Sequence, residues 1–589
     1  MADRKLEVEM QYRGENYEKK TGNKLNEDVR ACFAAQAEKA GTKASRPEDA
    51  ESGYNEIFVK TVDFGHQQMI MEKDVPVKMR DGVTLYVNVF RPLKPGKFPV
   101  VLSACVYGKD SRNDVFLDMI MNHAGVIKHS DFTAFESPDP GFWVPNDYIV
   151  VKAAVRGTSN SEGALHPFSQ MEAQDYYELV EWCGRQEWSN GNVGLNGVSY
   201  LAMLQWYVAP LSPPHLKAII PWEGGYDVYR EWAFHGGMPD TFFVDLWDAS
   251  ISALNGKEME FISMKMKEHP FDDEYWREKR ANIDQITVPM YVGASWSTQG
   301  LHTRGSLEGF KQSRSEYKWV EIHGRKEWEY YYARETLERQ KAFFDYFLKG
   351  IDNDWMDTPR VRLEVRNKFF DGEFRYENEW PIARTQATPL YLDGKNLSLS
   401  FSPLQHEAKV VYEADPASAN NATFKIVFDK DTELTGSMKL KLWVSADGSD
   451  DMDLFIGIKK YDRRGNEVLF PDWDAIEHGQ VATGWLRVSH RELDEEMSTP
   501  LQPWHKHQRA LKLKEGEIVP VEIEIQPSGT VFKAGESLGV VVQNTDIIQY
   551  TPPEYGCRHK DTVNRGKHII HTGGKYDSHL LAPVIPPKG

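Results

Sequence analysis

Cysteine is scarce in this chain, with four in 589 residues: Cys32, Cys105, Cys183 and Cys557. None stands at metal-ligand spacing and they form no disulfide framework, which suits a reducing compartment. Long hydrophobic runs are missing as well. No stretch of about eighteen apolar residues exists, so no membrane-spanning helix is expected. The N-terminus, Met-Ala-Asp-Arg-Lys-Leu-Glu-Val-Glu, lacks the apolar segment of a signal peptide. A soluble cytoplasmic protein is the expectation. Positive charge is in deficit: 70 Lys and Arg stand against 88 Asp and Glu, a net charge of -18. An acidic surface repels phosphate backbones and anionic lipid, which sets aside nucleic acid and membranes as partners. Internal repeats and low-complexity segments are also lacking. The glycines of Gly157…Gly163 have no Gly-Lys-Ser ending and are not a phosphate loop. No cofactor is implied. The carboxylates of Asp447-Gly448-Ser449-Asp450-Asp451-Met452-Asp453 invite a calcium reading, but their spacing fits no known loop. That stretch reads as a solvated turn with a domain contact, and no metal is expected.

What is present is ample apolar material, 41% hydrophobic and 12% aromatic, in a chain long enough for two to four domains. The organising stretch is Val193-Gly194-Leu195-Asn196-Gly197-Val198-Ser199-Tyr200-Leu201-Ala202. It reads as strand, sharp turn and helix, with a serine at the apex, the arrangement of a nucleophile elbow. Leu201 replaces the last glycine of G-x-S-x-G, and Ala202 is the nearest small residue.

Around it, Arg80-Asp81-Gly82-Val83 marks a hairpin turn before the alternating strand Thr84 to Phe90. Continuous apolar runs at Phe98–Ser103, Tyr148–Ala153 and Leu216–Ile220 suit buried parallel strands. Val288–Gly293 and Lys318–Ile322 supply two more. Helical spacing marks Met171–Trp188 and Arg334–Lys349. Strands alternating with helices predict a parallel sheet covered on both faces, with ligands beyond the carboxyl ends of its strands. Ser199, Tyr107, Glu223, Trp296 and His323 all follow strand ends and so gather on one edge. After a linker at Gly350–Pro359 the texture becomes short alternating strands, which predicts an all-β jelly-roll sandwich. The expected division is an N-terminal arm at 1–58, a core at 59–226 and 285–350 interrupted by a helical lid at 227–284, and the β domain at 351–589. The arm and the large β domain make a homo-oligomer an expectation.

The elbow Gly197-Val198-Ser199-Tyr200-Leu201 resembles that of the cocaine esterase-like (CocE/NonD) hydrolases. So do Arg156-Gly157-Thr158…Ser161-Glu162-Gly163 and Tyr107…Lys109-Asp110. That family is related to X-prolyl dipeptidyl peptidases and α-amino-acid ester hydrolases. Gly484-Trp485-Leu486-Arg487-Val488-Ser489-His490-Arg491 is similar to its jelly-roll domain. The resemblance runs from about Gln67 to the C-terminus. It implies an α/β-hydrolase core and serine-dependent cleavage of an ester or amide in a small-molecule or peptide-like substrate. Carried over, Ser199 is the nucleophile, and the Tyr200 N–H and Tyr107 hydroxyl are the oxyanion donors.

The rest of the triad departs from the family. The family's Gly-Trp-Tyr-Asp becomes Ser295-Trp296-Ser297-Thr298, so Thr298 replaces the aspartate. The Gly-Pro-Trp-Ser pattern before the family's histidine becomes His323-Gly324-Arg325-Lys326-Glu327-Trp328. His323 is therefore the first candidate base and His302 the second. Glu223 is the first candidate acid, unless it is salt-bridged to Arg230 or Arg304, and Glu327 is the second. Trp222, Trp296 and Trp328 are candidate pocket walls for an apolar or aromatic acyl group. Two rivals follow from the missing aspartate: a non-hydrolytic enzyme (cyclase, lyase or isomerase) on this scaffold, or an inactive binding protein.

Overall fold

A computed structural model describes residues 57–587, apart from 63–66, 111–124, 126, 256, 418–419, 473–475 and 548–557. Of the arm expected at 1–58, residues 1–56, with the expected helix near Asn26–Lys39, lie outside the described residues, as do Cys32 and Cys557, and Ile57 and Phe58 open the first strand.

One sheet runs through the first half of the chain. Its strands are β1 (Ile57–Val62), β2 (Gln67–Lys78), β3 (Thr84–Pro92), β4 (Phe98–Cys105), β5 (Ile149–Ala154), β6 (Ser189–Val198), β7 (Leu216–Trp222), β8 (Met290–Ser295), β9 (Lys318–His323) and β10 (Val361–Lys368). Pairing gives the order β1-β2-β3-β5-β4-β6-β7-β8-β9-β10, antiparallel as far as β5 and parallel from there on. The hairpin of β2 and β3 turns at Gly82, where φ is +91° and a side chain would be strained. Strand β5 is buried throughout, Lys152 included, as a strand covered on both faces is.

The covering helices are α1 (Gln170–Arg185), α2 (Tyr200–Val208), α3 (Phe243–Asn255), α4 (Thr303–Gln312) and α5 (Arg334–Lys349). Helix α1 is capped by Ser169, whose hydroxyl accepts from Glu172 N at 3.3 Å. Helix α5 packs so close to β6 that a Cβ at Gly194 would lie 2.7–2.9 Å from Leu348 and Phe344. The insertion between β7 and β8 holds α3, the short helices Ile262–Glu268 and Glu274–Glu278, and a small hairpin of Phe234–His235 with Met238–Pro239. No helix among the described residues is long and apolar enough to cross a membrane.

Beyond the linker, Val361–Lys368 departs from its expected place in the β domain. It pairs in parallel with β9, Val320 beside Val361, and extends the hydrolase sheet. After it the strands are mostly antiparallel, with Ser398 beside Lys425 in a parallel pair, around a second core that includes Leu440, Leu454, Ile456 and Val540. Its spine is Thr432–Asp447 paired with Val519–Phe532. The acidic turn there is tied up in ion pairs: Arg487 grips Asp453 and Lys512 reaches Asp451. The two halves lock together where Thr483 N–H donates to Gln299 Oε1 (2.7 Å).

Candidate active site

Ser199 sits between β6 and α2 at φ +55°, ψ −117°, a strained conformation for a non-glycine residue. The neighbouring sequence permits it. A Cβ at Gly197 would approach Leu201 Cβ to 2.6 Å, and one at Gly224 would approach Ala202 Cβ to 2.7 Å. Ala202 thus does the work of the missing last glycine, letting the next strand end press on the helix. Ser199 N–H donates to the carbonyls of Trp222 and Glu223 at 3.0 Å each, and Val198 N–H donates to Glu136 O at 3.1 Å. These bonds hold the strained turn.

The Ser199 hydroxyl faces His302, with Nε2 3.1 Å from Oγ. His302 stands at the N-terminus of α4, its N–H bonded to Thr298 O (2.9 Å), after a turn at Gly300 with φ +74°. Burial, with the Arg558 guanidinium adding to it, pushes its imidazole down to about 3. The ring is therefore neutral near pH 7 and able to accept a proton. Its Nδ1 has no hydrogen-bond partner among the described residues. Among the described residues no carboxylate bonds this ring.

His323, the first candidate base, is placed otherwise. Its Nδ1 accepts from Arg325 N–H (3.2 Å), so Nε2 carries the proton, and Nε2 lies 2.9 Å from Glu223 Oε1 without aligned hydrogen-bond geometry. Both nitrogens are engaged away from the serine, because the Gly324 turn folds the following backbone onto the ring. Glu223 does meet a histidine, as a triad acid would, but the wrong one. Its other oxygen accepts from Ser295 Oγ (2.5 Å) and Thr298 Oγ1 (2.9 Å). The arginines pair elsewhere: Arg230 with Asp227 and Asp272, Arg304 with Glu231 and Glu524. Thr298 is a hydroxyl partner of Glu223 and no acid.

The Tyr107 hydroxyl is within hydrogen-bonding reach of the Ser199 side chain and accepts from Trp247 Nε1–H at 3.3 Å. Burial, then the nearby Glu136 carboxylate, drives its phenol well above the usual range, so it stays a neutral donor. The Tyr200 N–H occupies the first position of α2, where the helix itself offers no acceptor. The Tyr200 hydroxyl donates to Glu172 Oε1 at 2.6 Å, which ties α2 to α1.

Of the three tryptophans only Trp328 reaches this site. Its ring centroid is 5.5 Å from Phe135, which packs edge-on against Tyr107 at 5.0 Å. Trp222 lies under the sheet edge against His323 and Tyr291, and a Cβ at Gly293 would collide with it at 2.2 Å. Trp296 turns into the domain interface against Trp380. Both leave the pocket because a strand's alternation decides which way a terminal side chain points. Phe135, Trp247 and Arg558 escaped the sequence reading. Trp247 had a signal, the aromatic richness of the insertion, while Arg558 had none.

Comparison with known proteins identifies the family. The profile of the X-Pro dipeptidyl-peptidase (S15 family) matches residues 81–325, and that of the X-Pro dipeptidyl-peptidase C-terminal non-catalytic domain matches 353–581. A solved CocE/NonD family hydrolase from Staphylococcus aureus is 54% identical, with a TM-score of 0.88 over 92% of this chain and 99% of that one. This chain belongs to the CocE/NonD hydrolase family. Cocaine esterase of a Rhodococcus species is 26% identical over 87% of this chain and 98% of its own length. A putative Xaa-Pro dipeptidyl-peptidase of Bacillus anthracis is 24% identical over 71% of this chain and 72% of its own. An α-amino acid ester hydrolase at 17% identity and a TM-score of 0.66 shares the fold. Like its relatives, this CocE/NonD chain is a serine hydrolase of ester or amide bonds, built as an α/β-hydrolase core with a C-terminal β domain.

Proposed function

We propose that the reaction runs through an acyl-enzyme on Ser199 with His302 as general base. Neutral His302 takes the serine proton as Oγ attacks the carbonyl. The Tyr107 hydroxyl and Tyr200 N–H hold the oxyanion. The imidazolium so formed is a strong acid in this buried site, so it passes its proton readily to the leaving group. Water then repeats the sequence to release the acid. The observation that carries the reading is the 3.1 Å contact of His302 Nε2 with a serine in elbow geometry.

A base without a carboxylate partner is a weak one, which favours the more electrophilic ester over the amide. Phe135 and Trp247 beside Tyr107, with Trp328 packed on Phe135, favour an apolar or aromatic acyl group. Cocaine esterase among the relatives supports a small-molecule ester. In this reading the insertion at 227–284 is a lid, since α3 brings Trp247 to Tyr107, and the strands that follow Val361–Lys368 form a jelly-roll sandwich. The acidic surface and sparse cysteine support a cytoplasmic place, and the large β domain supports a homo-oligomer. Fluorophosphonate labelling tests the mechanism. Wild type should react at one site and hydrolyse p-nitrophenyl esters, and Ser199→Ala should do neither while staying folded. Turnover by Ser199→Ala would end this reading.

A further inference from the structure

Arg558 comes from the β domain and is almost wholly buried beside the active site. Its Nε and one terminal nitrogen donate to Asp240 Oδ2 at 2.9 and 2.7 Å, and the same terminal nitrogen donates to Gly300 O at 3.0 Å. The other terminal nitrogen stands 3.0 Å from where a Gly300 Cβ would be. Gly300 is two residues before His302. Asp240, in turn, accepts from Phe242 N–H and Phe243 N–H at the start of α3, the helix whose Trp247 donates to Tyr107. One guanidinium therefore ties the base-bearing loop to the helix that braces the oxyanion donor. The Gly300 carbonyl also meets His235 Nε2 (2.6 Å), and His235 Nδ1 meets His559 Nε2 (2.8 Å) in the residue after Arg558.

We propose that Arg558 is a positioning residue of the hydrolytic site, holding the Gly300 turn so that His302 lies on Ser199 in place of an orienting carboxylate. The proposal rests on the Ser199–His302 reading above. An orienting acid normally fixes the ring of the base and lowers the cost of its positive charge. Here the ring's Nδ1 has no partner among the described residues, and its orientation comes from the backbone that carries it. That backbone is held by Arg558, and the same charge opposes protonation of His302. Other charged and titratable groups stand on the elements near α4 and are bonded elsewhere. Glu223 follows β7 with His323 beside it, Glu136 precedes β5, His235 and Glu231 come from the insertion, and Arg304 on α4 is paired with Glu231. None of these supplies a carboxylate to Nδ1.

The test uses the full chain, with Arg558→Met, Arg558→Lys and Asp240→Asn compared with wild type. Each is assayed by fluorophosphonate labelling rate, by kcat and KM on a p-nitrophenyl ester across pH, and by thermal melting. Loosening the base by even about 1 Å costs on the order of 100-fold, so Arg558→Met should label and turn over about 10- to 100-fold more slowly at little-changed KM. Its acid limb should move up toward the ordinary histidine value. Arg558→Lys keeps the charge and should leave the acid limb in place. It should lose rate because one ammonium cannot bridge Asp240 and Gly300 as a fork does. Asp240→Asn should show the same rate loss. If Arg558→Met fails to fold, the other two variants decide. Wild-type kcat and pH profile in folded Arg558→Met would overturn the proposal, as would wild-type rates in both Arg558→Lys and Asp240→Asn. A wild type that fluorophosphonate does not label would instead overturn the Ser199–His302 reading.

Discussion

Replacing each of the two histidines by glutamine should separate catalysis from stability. In His302→Gln the lost contact is the one to Ser199 Oγ, and Nδ1 had no partner to orphan. Folding stability should change by less than about 1 kcal/mol, near the net worth of a single hydrogen bond. The rate should fall about 10²- to 10⁴-fold, the usual share of a general base. That is about 3–5 kcal/mol at 1.36 kcal/mol per decade. In His323→Gln the balance reverses. The Glu223 carboxylate, fully buried, keeps the Ser295 and Thr298 hydroxyls but loses the ring nitrogen 2.9 Å from its other oxygen, and Arg325 N–H loses its acceptor. Leaving a polar group short in this way costs about 1–3 kcal/mol. Turnover should stay within about tenfold, since neither His323 nitrogen reaches the serine. Single-turnover kinetics on a p-nitrophenyl ester and urea unfolding of both variants read the two axes. A folded His323→Gln without activity, beside an active His302→Gln, would refute the assignment of the base.

Tyr107→Phe should lower kcat about 10²- to 10³-fold at nearly constant KM, as for other single oxyanion donors; an unchanged kcat in steady-state assays would remove the hydroxyl from the mechanism. The base acts only when neutral, and burial with Arg558 pushes His302 down to about 3. The kcat/KM of the free enzyme should therefore stay flat from pH 7 down to the acid edge of folding, and a limb near the ordinary histidine value of about 6.5 would contradict that environment. Gly197→Ala should destabilise the elbow by at least about 1–3 kcal/mol, because φ is +155° there and the new Cβ would meet Leu201. Labelling and melting temperature should fall together, and a fully labelled, wild-type-stable variant would show that the turn tolerates a side chain.

The fold was legible because its strands carry strong patterns. The buried runs at β4, β5 and β7 and the helix Arg334–Lys349 could be placed within a few residues from apolar spacing alone. The elbow was legible because its strain needs small neighbours, and Gly197 and Ala202 supply them. Val361–Lys368 was less so, since an edge strand extending a parallel sheet has the same alternating texture as a strand in a sandwich. The order of the two candidate bases was not legible. Both follow strands whose carboxyl ends share one edge, and sequence position does not say which way a ring turns. What decided it is local: the positive φ of Gly300 swings His302 to the mouth of α4, while Gly324 lets Arg325 N–H cap His323 Nδ1. The sequence Gly300-Leu301-His302, a glycine shortly before a helix start, carried that signal in part. The role of Arg558 depends on a contact 258 residues away in the chain and left no local trace.

The site keeps a glutamate and a histidine at the strand ends where a serine hydrolase needs an acid and a base, yet turns them toward each other. Their joint task is the floor of the elbow. The Glu223 carbonyl accepts the Ser199 N–H, and Glu223 itself is held at φ +49°, a conformation that persists only when its surroundings over-determine it. The Ser295 and Thr298 hydroxyls and the His323 ring are those surroundings. Thr298 in the place of an aspartate then follows physically. A second carboxylate against Glu223 would set two like charges in one buried site and force one to take up a proton, whereas a threonine hydroxyl donates to Glu223 and relieves it. With its carboxylate committed to the elbow, Glu223 does not orient His302, and among the described residues no other carboxylate bonds the Nδ1 of that ring. The orientation of His302 passes to the turn that carries it and to the β domain that clamps that turn.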